Sequence, residues 1–187
     1  MTKPRLFVGS ARESVSFAYA VQRNLDHDAE VTVWPQGVFN LSAYPVESLL
    51  AAAKQTDYAA FAFSPDDVAR IRDREQTVTR DNVVFELGLF MGQLDRHRCF
   101  VLIPHESDDL HIPTDLYGLT PGKFHARRTD SNLVAGMGAV CDEIRSAMTG
   151  TKTLSVARLI LLAISTYRIV VCVSLCRIFF WAPPHNS

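Results

Sequence analysis

The sequence predicts an α/β fold: a parallel sheet of about five strands with helices on both faces. Three observations carry this. Short apolar runs alternate with stretches of helical periodicity, the pattern that βαβ units leave in a chain. The runs RLFVG, DYAAFAFS and RCFVLI are apolar nearly throughout rather than alternating, as strands covered on both faces should be. The runs stop at Gly or Pro, or just before one, where a strand gives way to a loop.

Taken in order, Arg5 to Gly9 is a buried strand meeting a tight turn at Gly9-Ser10. A helix follows, with Ser10 or Ser14 as caps and Phe17, Ala20, Val21 and Leu25 on one face. Glu30 to Trp34 is a second strand, broken by Pro35-Gln36-Gly37. Val38 to Tyr44 is a loop carrying two exposed aromatics, Phe39 and Tyr44. The next helix starts at Pro45, a favoured first-turn residue, and runs through Val46, Leu49, Leu50 and Ala53. Asp57 to Ser64 is the third strand. Pro65 to Arg80 is long and charge-rich for a connection, a length usually kept for function or mobility. Arg98 to Ile103 is the fourth strand, closed by Pro104, and 105–122 is irregular. Lys123 to His125 forms a short edge strand, and a last helix spans Ser131 to Met148, with Leu133, Met137, Val140, Cys141 and Ile144 inward and Gly150 as terminator.

Between the long connection and the fourth strand lies TRDNVVFELGLFMGQL, residues 79–94. Asp81 and Asn82 are suited to cap a helix start, because their side-chain oxygens accept from unpaired backbone N–H groups. Val83, Leu87, Phe90, Met91 and Leu94 recur at helical spacing and build a core face. Glu86 sits inside that apolar run, on one stripe with Asn82, Leu89 and Gln93 and flanked by Phe85 and Phe90. Such a carboxylate is either helped by the macrodipole and otherwise idle, or it borders a cleft. In parallel sheets ligands bind at the strand C-termini near a switch in strand order. That rule gathers Gly9-Ser10, Trp34 and its loop, Ser64 with Asp66 and Asp67, and the start of the Glu86 helix. A lone Gly-Ser pair fits ordinary turn duty as well as phosphate binding.

Composition bounds the partners. Residues 1–150 carry 15 Lys+Arg against 20 Asp+Glu, a balance of −5, so nothing points to nucleic acid. Residues 151–187 carry 4 Lys+Arg and no acid, a balance of +4. The first 149 residues suit one domain, and 150–187 form a hydrophobic tail. The amino terminus has no apolar signal region, so cytoplasmic, reduced thiols are expected at Cys99, Cys141, Cys172 and Cys176. The six histidines form no ligand spacing, and no metal is expected.

FVGS near the start, the Trp34–Phe39 loop, FSPDD, RDNVVFELGLFMGQL and IPTDLYGL together resemble prokaryotic TIR-like domains, in the predicted nucleotide-binding subgroup found as effectors of anti-phage systems that signal with cyclic nucleotides. The resemblance covers about residues 4–148. It implies a flavodoxin-like TIR fold and an NAD⁺ nucleosidase activity, with NAD⁺ as substrate and no cofactor. It makes Glu86 the catalytic acid. Arg80, Asp81 and Asn82 would stand beside it on the cleft wall, with Ser64, Asp66 and Asp67 after the third strand and Gly9 and Ser10 after the first. Trp34 and Phe39 fall where such domains place an aromatic wall for nicotinamide or adenine. Self-association and a cyclic-nucleotide-sensing partner are implied as well.

The chemistry fits one acid. Losing nicotinamide leaves an oxocarbenium-like ribose, a centre that glycosidases stabilise with a carboxylate. The leaving group departs neutral and needs no general acid. Two other readings stay open: a TIR scaffold that makes only homotypic contacts, and a nucleoside deoxyribosyltransferase-like enzyme.

The tail from 154 to 181 is long enough to span a bilayer, which takes about 20 mostly apolar residues. Arg168 near its middle opposes insertion by about 2.5 to 3.5 kcal/mol, while each Leu or Ile returns roughly 0.5 kcal/mol. A membrane anchor, an oligomerisation helix and an aberrant gene end are all compatible with this composition. The first would attach an otherwise cytoplasmic chain to a membrane.

Overall fold

A computed structural model describes residues 2–37, 44–71, 74–107, 109–116 and 118–150. The chain divides into two units, Met1–Met148 and Thr149–Ser187. The apolar segment 154–181 and Phe39 lie outside the described residues, among which no helix is long and apolar enough to cross a membrane.

Five strands form the main sheet: β1 (Arg5–Ser10), β2 (Glu30–Val33), β3 (Tyr58–Ala62), β6 (Cys99–Pro104) and β8 (Gly122–Phe124). Their order is β2-β1-β3-β6-β8 and every pairing is parallel. Counted within this sheet alone, that is the 2-1-3-4-5 order of flavodoxin-like folds, with the switch point between β1 and β3. The expected α/β class and five-stranded parallel sheet are therefore present.

Both faces of the central strands are packed. Leu6 and Val8 of β1, Ala60 of β3 and Leu102 of β6 meet α1 (Val15–Leu25) and the helix at 138–150, here α5, on one side. Phe7, Ala59, Phe61, Val101 and Ile103 alternate with them and meet α2 (Pro45–Gln55) and α3 (Asp81–Leu94) on the other. This explains the apolar runs: a strand with helices on both sides has no polar face to show. The α3 contribution is anchored by Phe90, stacked on Phe7 at 4.4 Å and edge-on to Phe61 at 5.5 Å. A Cβ on Gly9 would stand 2.6 Å from the Phe61 ring, so this position is glycine because an aromatic lies across it.

The structure departs from expectation in four places. Residues 65–80 are not an open connection. β4 (Asp67–Ile71) and β5 (Arg74–Val78) form an antiparallel hairpin, and with β7 (Leu110–His111) they make a second, three-stranded sheet. Residues 105–122 are thus not wholly irregular, since β7 and a 3₁₀ turn at Thr114–Leu116 interrupt them. The expected caps also fail. Ser14 holds the cap position of α1 but its hydroxyl donates backward to the Ala11 carbonyl, and that of Ser10 donates to the same carbonyl. α3 starts at Asp81 with Arg80 as cap residue and no side-chain cap hydrogen bond; Asp81 Oδ1 accepts from the N–H of Asn82. Finally, the last helix breaks. A short α4 (Leu133–Gly136), capped by Asn132, ends where the Gly136 carbonyl accepts from His125 N–H, and α5 then resumes at residue 138.

Candidate active site

All five main-sheet strands are parallel, so their C-termini share one edge, and α3 begins at that edge. α2 and α3 lie on the same face and both run antiparallel to the strands. Ser48, Ala51, Ala52 and Gln55 line a groove toward β2, which leaves Val46 and Leu50 on the α3 side of α2. The same helical handedness turns Asn82, Glu86, Leu89 and Gln93 toward α2. Glu86 therefore sits in the cleft between the two helices, under two turns from the edge where ligands of such sheets bind.

Its surroundings set its charge state. Glu86 is partly buried, and burial alone pushes its carboxyl up from 4.5 to about 7. Among the described residues no donor or cation offsets that desolvation. An acid left in this condition is expensive for the fold, and such acids cluster at functional sites. Phe85, expected on its flank, is 55% exposed on the outer side of α3.

The other expected site residues within the described chain divide into four groups. Ser64, Asp66, Asp67 and Arg80 do come together at the strand ends, but they engage one another. The Ser64 hydroxyl donates to Asp66 Oδ2, and the Ser64 N–H points to Thr79 Oγ1 at 3.4 Å. Arg80 donates to Glu13 at 2.8 Å and lies 3.5 Å from Asp67. Gly9 and Ser10 are buried inside the sheet edge, Gly9 against Phe61 and Ser10 bonded to the Ala11 carbonyl. Trp34 continues the pairing of β2 beyond its end, donating its backbone N–H to Val8, and packs against both core clusters. Asp81 and Asn82 are exposed in the first turn of α3. Nothing in the residue pattern singles out Glu13 or Thr79, which complete the Arg80 and Ser64 contacts.

Two cavities lined by described residues, of ≈ 300 Å³ between β2 and α2 and ≈ 220 Å³ between β6 and α5, do not include Glu86. Cys99 and Cys141 are buried free thiols pushed up to about 12 by burial, too high to serve as nucleophiles.

Comparison with known proteins decides the family. The family model for the CAP12/Pycsar effector protein TIR domain matches residues 5–126. The chain belongs to this family. The TIR domain is similar to Pycsar effector protein PaPycTIR of Pseudomonas aeruginosa, 37% identical over 142 residues, covering 75% of this chain and 46% of that protein. It is also similar to CD-NTase-associated protein 12 of Niabella drilacis, 35% identical over 147 residues, with coverage of 76% and 46%. A third relative, Pycsar effector protein BcPycTIR of Burkholderia cepacia, is 40% identical over 119 residues, with coverage of 63% and 39%. The chain thus spans less than half the length of these relatives. Among solved structures, the flavodoxin-like domain of a Synechococcus protein covers 79% of this chain and 98% of its own at 13% identity and a TM-score of 0.43, too distant to bear on the site.

Proposed function

We propose that this TIR domain cleaves the bond between nicotinamide and ribose in NAD⁺, with Glu86 as the carboxylate at the ribose, and that the protein acts as an effector in anti-phage defence. One observation carries the reading: a carboxyl partly buried without a compensating partner among the described residues, on the helix that opens at the strand C-terminal edge of a parallel sheet. Membership in the CAP12/Pycsar effector TIR family supports it.

The step needs little from the protein. The glycosidic electron pair leaves with the nicotinamide nitrogen, which becomes neutral. A water oxygen bonds to C1′ of the ribose and gives up its proton, yielding ADP-ribose; attack by another nucleophile of the same molecule would yield a cyclic form. Glu86, ionised, stabilises the positive charge that develops at the ribose and holds a hydroxyl or the attacking water. The poor solvation that raises its pKa also strengthens its field at that centre.

Tyr44 and Val46 at the start of α2, Leu50 at its middle and Phe85 in the second turn of α3 are exposed apolar side chains. They support self-association of TIR domains over this cleft, with a cyclic-nucleotide-sensing partner providing the signal. The test is incubation of the concentrated chain, free and artificially tethered, with NAD⁺ and separately with a deoxynucleoside. Free nicotinamide supports the proposal, and its absence in the Glu86→Gln variant assigns the acid. Free base would favour a deoxyribosyltransferase-like enzyme. Neither product, with tethering, would leave a scaffold.

A further inference from the structure

α3 begins without the usual side-chain cap, yet it must hold Glu86 in register with the sheet edge. Its first N–H groups are met only from within the turn, Asn82 by Asp81 Oδ1 and Val83 by the Arg80 carbonyl, so no capping side chain ties the helix start to the rest of the fold. What stands at its start is Arg80, whose guanidinium reaches two other segments. Its Nη2 donates to Glu13 Oε1 at 2.8 Å, on the stretch that follows β1, and its Nε lies 3.5 Å from Asp67 Oδ2, at the first residue of β4. The preceding Thr79 is 4% exposed, and its hydroxyl oxygen faces the Ser64 N–H at the end of β3.

We propose that Arg80 is a positioning residue: by clasping Glu13 and Asp67 it fixes the start of α3 against β1 and the three-stranded sheet, and so holds Glu86 in place. The consequence for rate rests on the proposed NAD⁺ cleavage; the consequence for the helix does not. The geometry favours this over direct substrate binding. Two carboxylates already neutralise the guanidinium, which lowers its attraction for a phosphate. A planar fork presents its donors to carboxylates lying in two directions in a fixed geometry, whereas an ammonium on a flexible stem is a point charge with no such preset geometry. A helix is stiff over two turns, so a shift at residue 80 is carried to residue 86, about 9 Å further along the axis.

The two roles part company when the carboxylates are removed. In the full chain, Arg80→Gln and the double variant Glu13→Gln/Asp67→Asn are compared, with Arg80→Lys as the conservative exchange. Steady-state nicotinamide release and amide hydrogen exchange at 84–87 are measured for each. Positioning predicts that both charge-removing variants lower kcat by roughly five- to tenfold with KM within about twofold, that exchange at 84–87 quickens about fivefold, and that Arg80→Lys falls between them and wild type. The proposal is overturned if Arg80→Gln raises KM while the double variant, with its guanidinium set free, keeps wild-type kcat and KM. It is equally overturned if exchange at 84–87 is unchanged in Arg80→Gln. Should the wild type release no nicotinamide at all, NAD⁺ cleavage fails as a reading, and the exchange comparison still decides the role of Arg80.

Discussion

Replacing Glu86 by Gln should make the protein more stable at neutral and alkaline pH while removing its proposed chemistry. Burial holds the carboxyl at about 7 in place of 4.5. Folding therefore opposes ionisation, and a gap of that size corresponds to roughly 3 kcal/mol. Water still reaches part of the side chain, so about 1–2 kcal/mol is the expected gain, or a rise of roughly 2–8 °C in Tm. The sign follows from linkage. An acid whose pKa rises on folding binds its proton more tightly in the native state. The penalty is absent below about pH 4.5, grows as pH climbs toward 7, and is complete above it. Urea unfolding of wild type and Glu86→Gln at intervals from pH 4 to 8.5 measures it directly. The two curves should converge at the acid end and separate above pH 5. A variant less stable than wild type at pH 8, or a difference constant across the range, would refute the claim that burial desolvates Glu86.

Three further outcomes follow from the packing. Gly9→Ala should destabilise by about 1–3 kcal/mol, because the new methyl meets the Phe61 ring at 2.6 Å, and Phe61→Leu in the same chain should recover part of it; thermal melts of the three variants check this. Asp95, which ends α3 at φ 81° and ψ 147°, holds a conformation costly for any side chain, so Asp95→Gly should stabilise by about 1 kcal/mol in urea unfolding. Phe90→Ala removes the ring that bridges Phe7 and Phe61 and should lower stability by about 3–5 kcal/mol in the same assay.

Much of this architecture could be read directly from residue pattern. Strands packed on both faces leave apolar runs, and β1, β3 and β6 appear in the sequence almost at their observed limits. The 3.6-residue recurrence of Val83, Leu87 and Phe90 marks the α3 core face, and the one acid within that run is a carboxyl that burial pushes up. The β4–β5 hairpin leaves no such signal, because its sequence is charge-rich and Arg72-Asp73 between the strands is no Asn-Gly or Gly-Gly pair. The caps are not encoded locally either. Whether a serine or aspartate accepts from the helix ahead or turns to a local partner depends on backbone angles that composition does not encode. Likewise, Ser64, Asp66, Asp67 and Arg80 were recognisable as polar groups at the strand ends. That they engage one another and Glu13 depends on distances between segments remote in sequence.

The most direct measurement is the pH dependence of kcat/KM for nicotinamide release from NAD⁺ by the tethered chain. An ionised Glu86 should give a rate that rises with pH to a plateau, with a midpoint near 7, and Glu86→Gln should abolish release across the whole range. A flat profile through pH 7, or nicotinamide still released by Glu86→Gln, would contradict the assignment of this buried acid to the reaction.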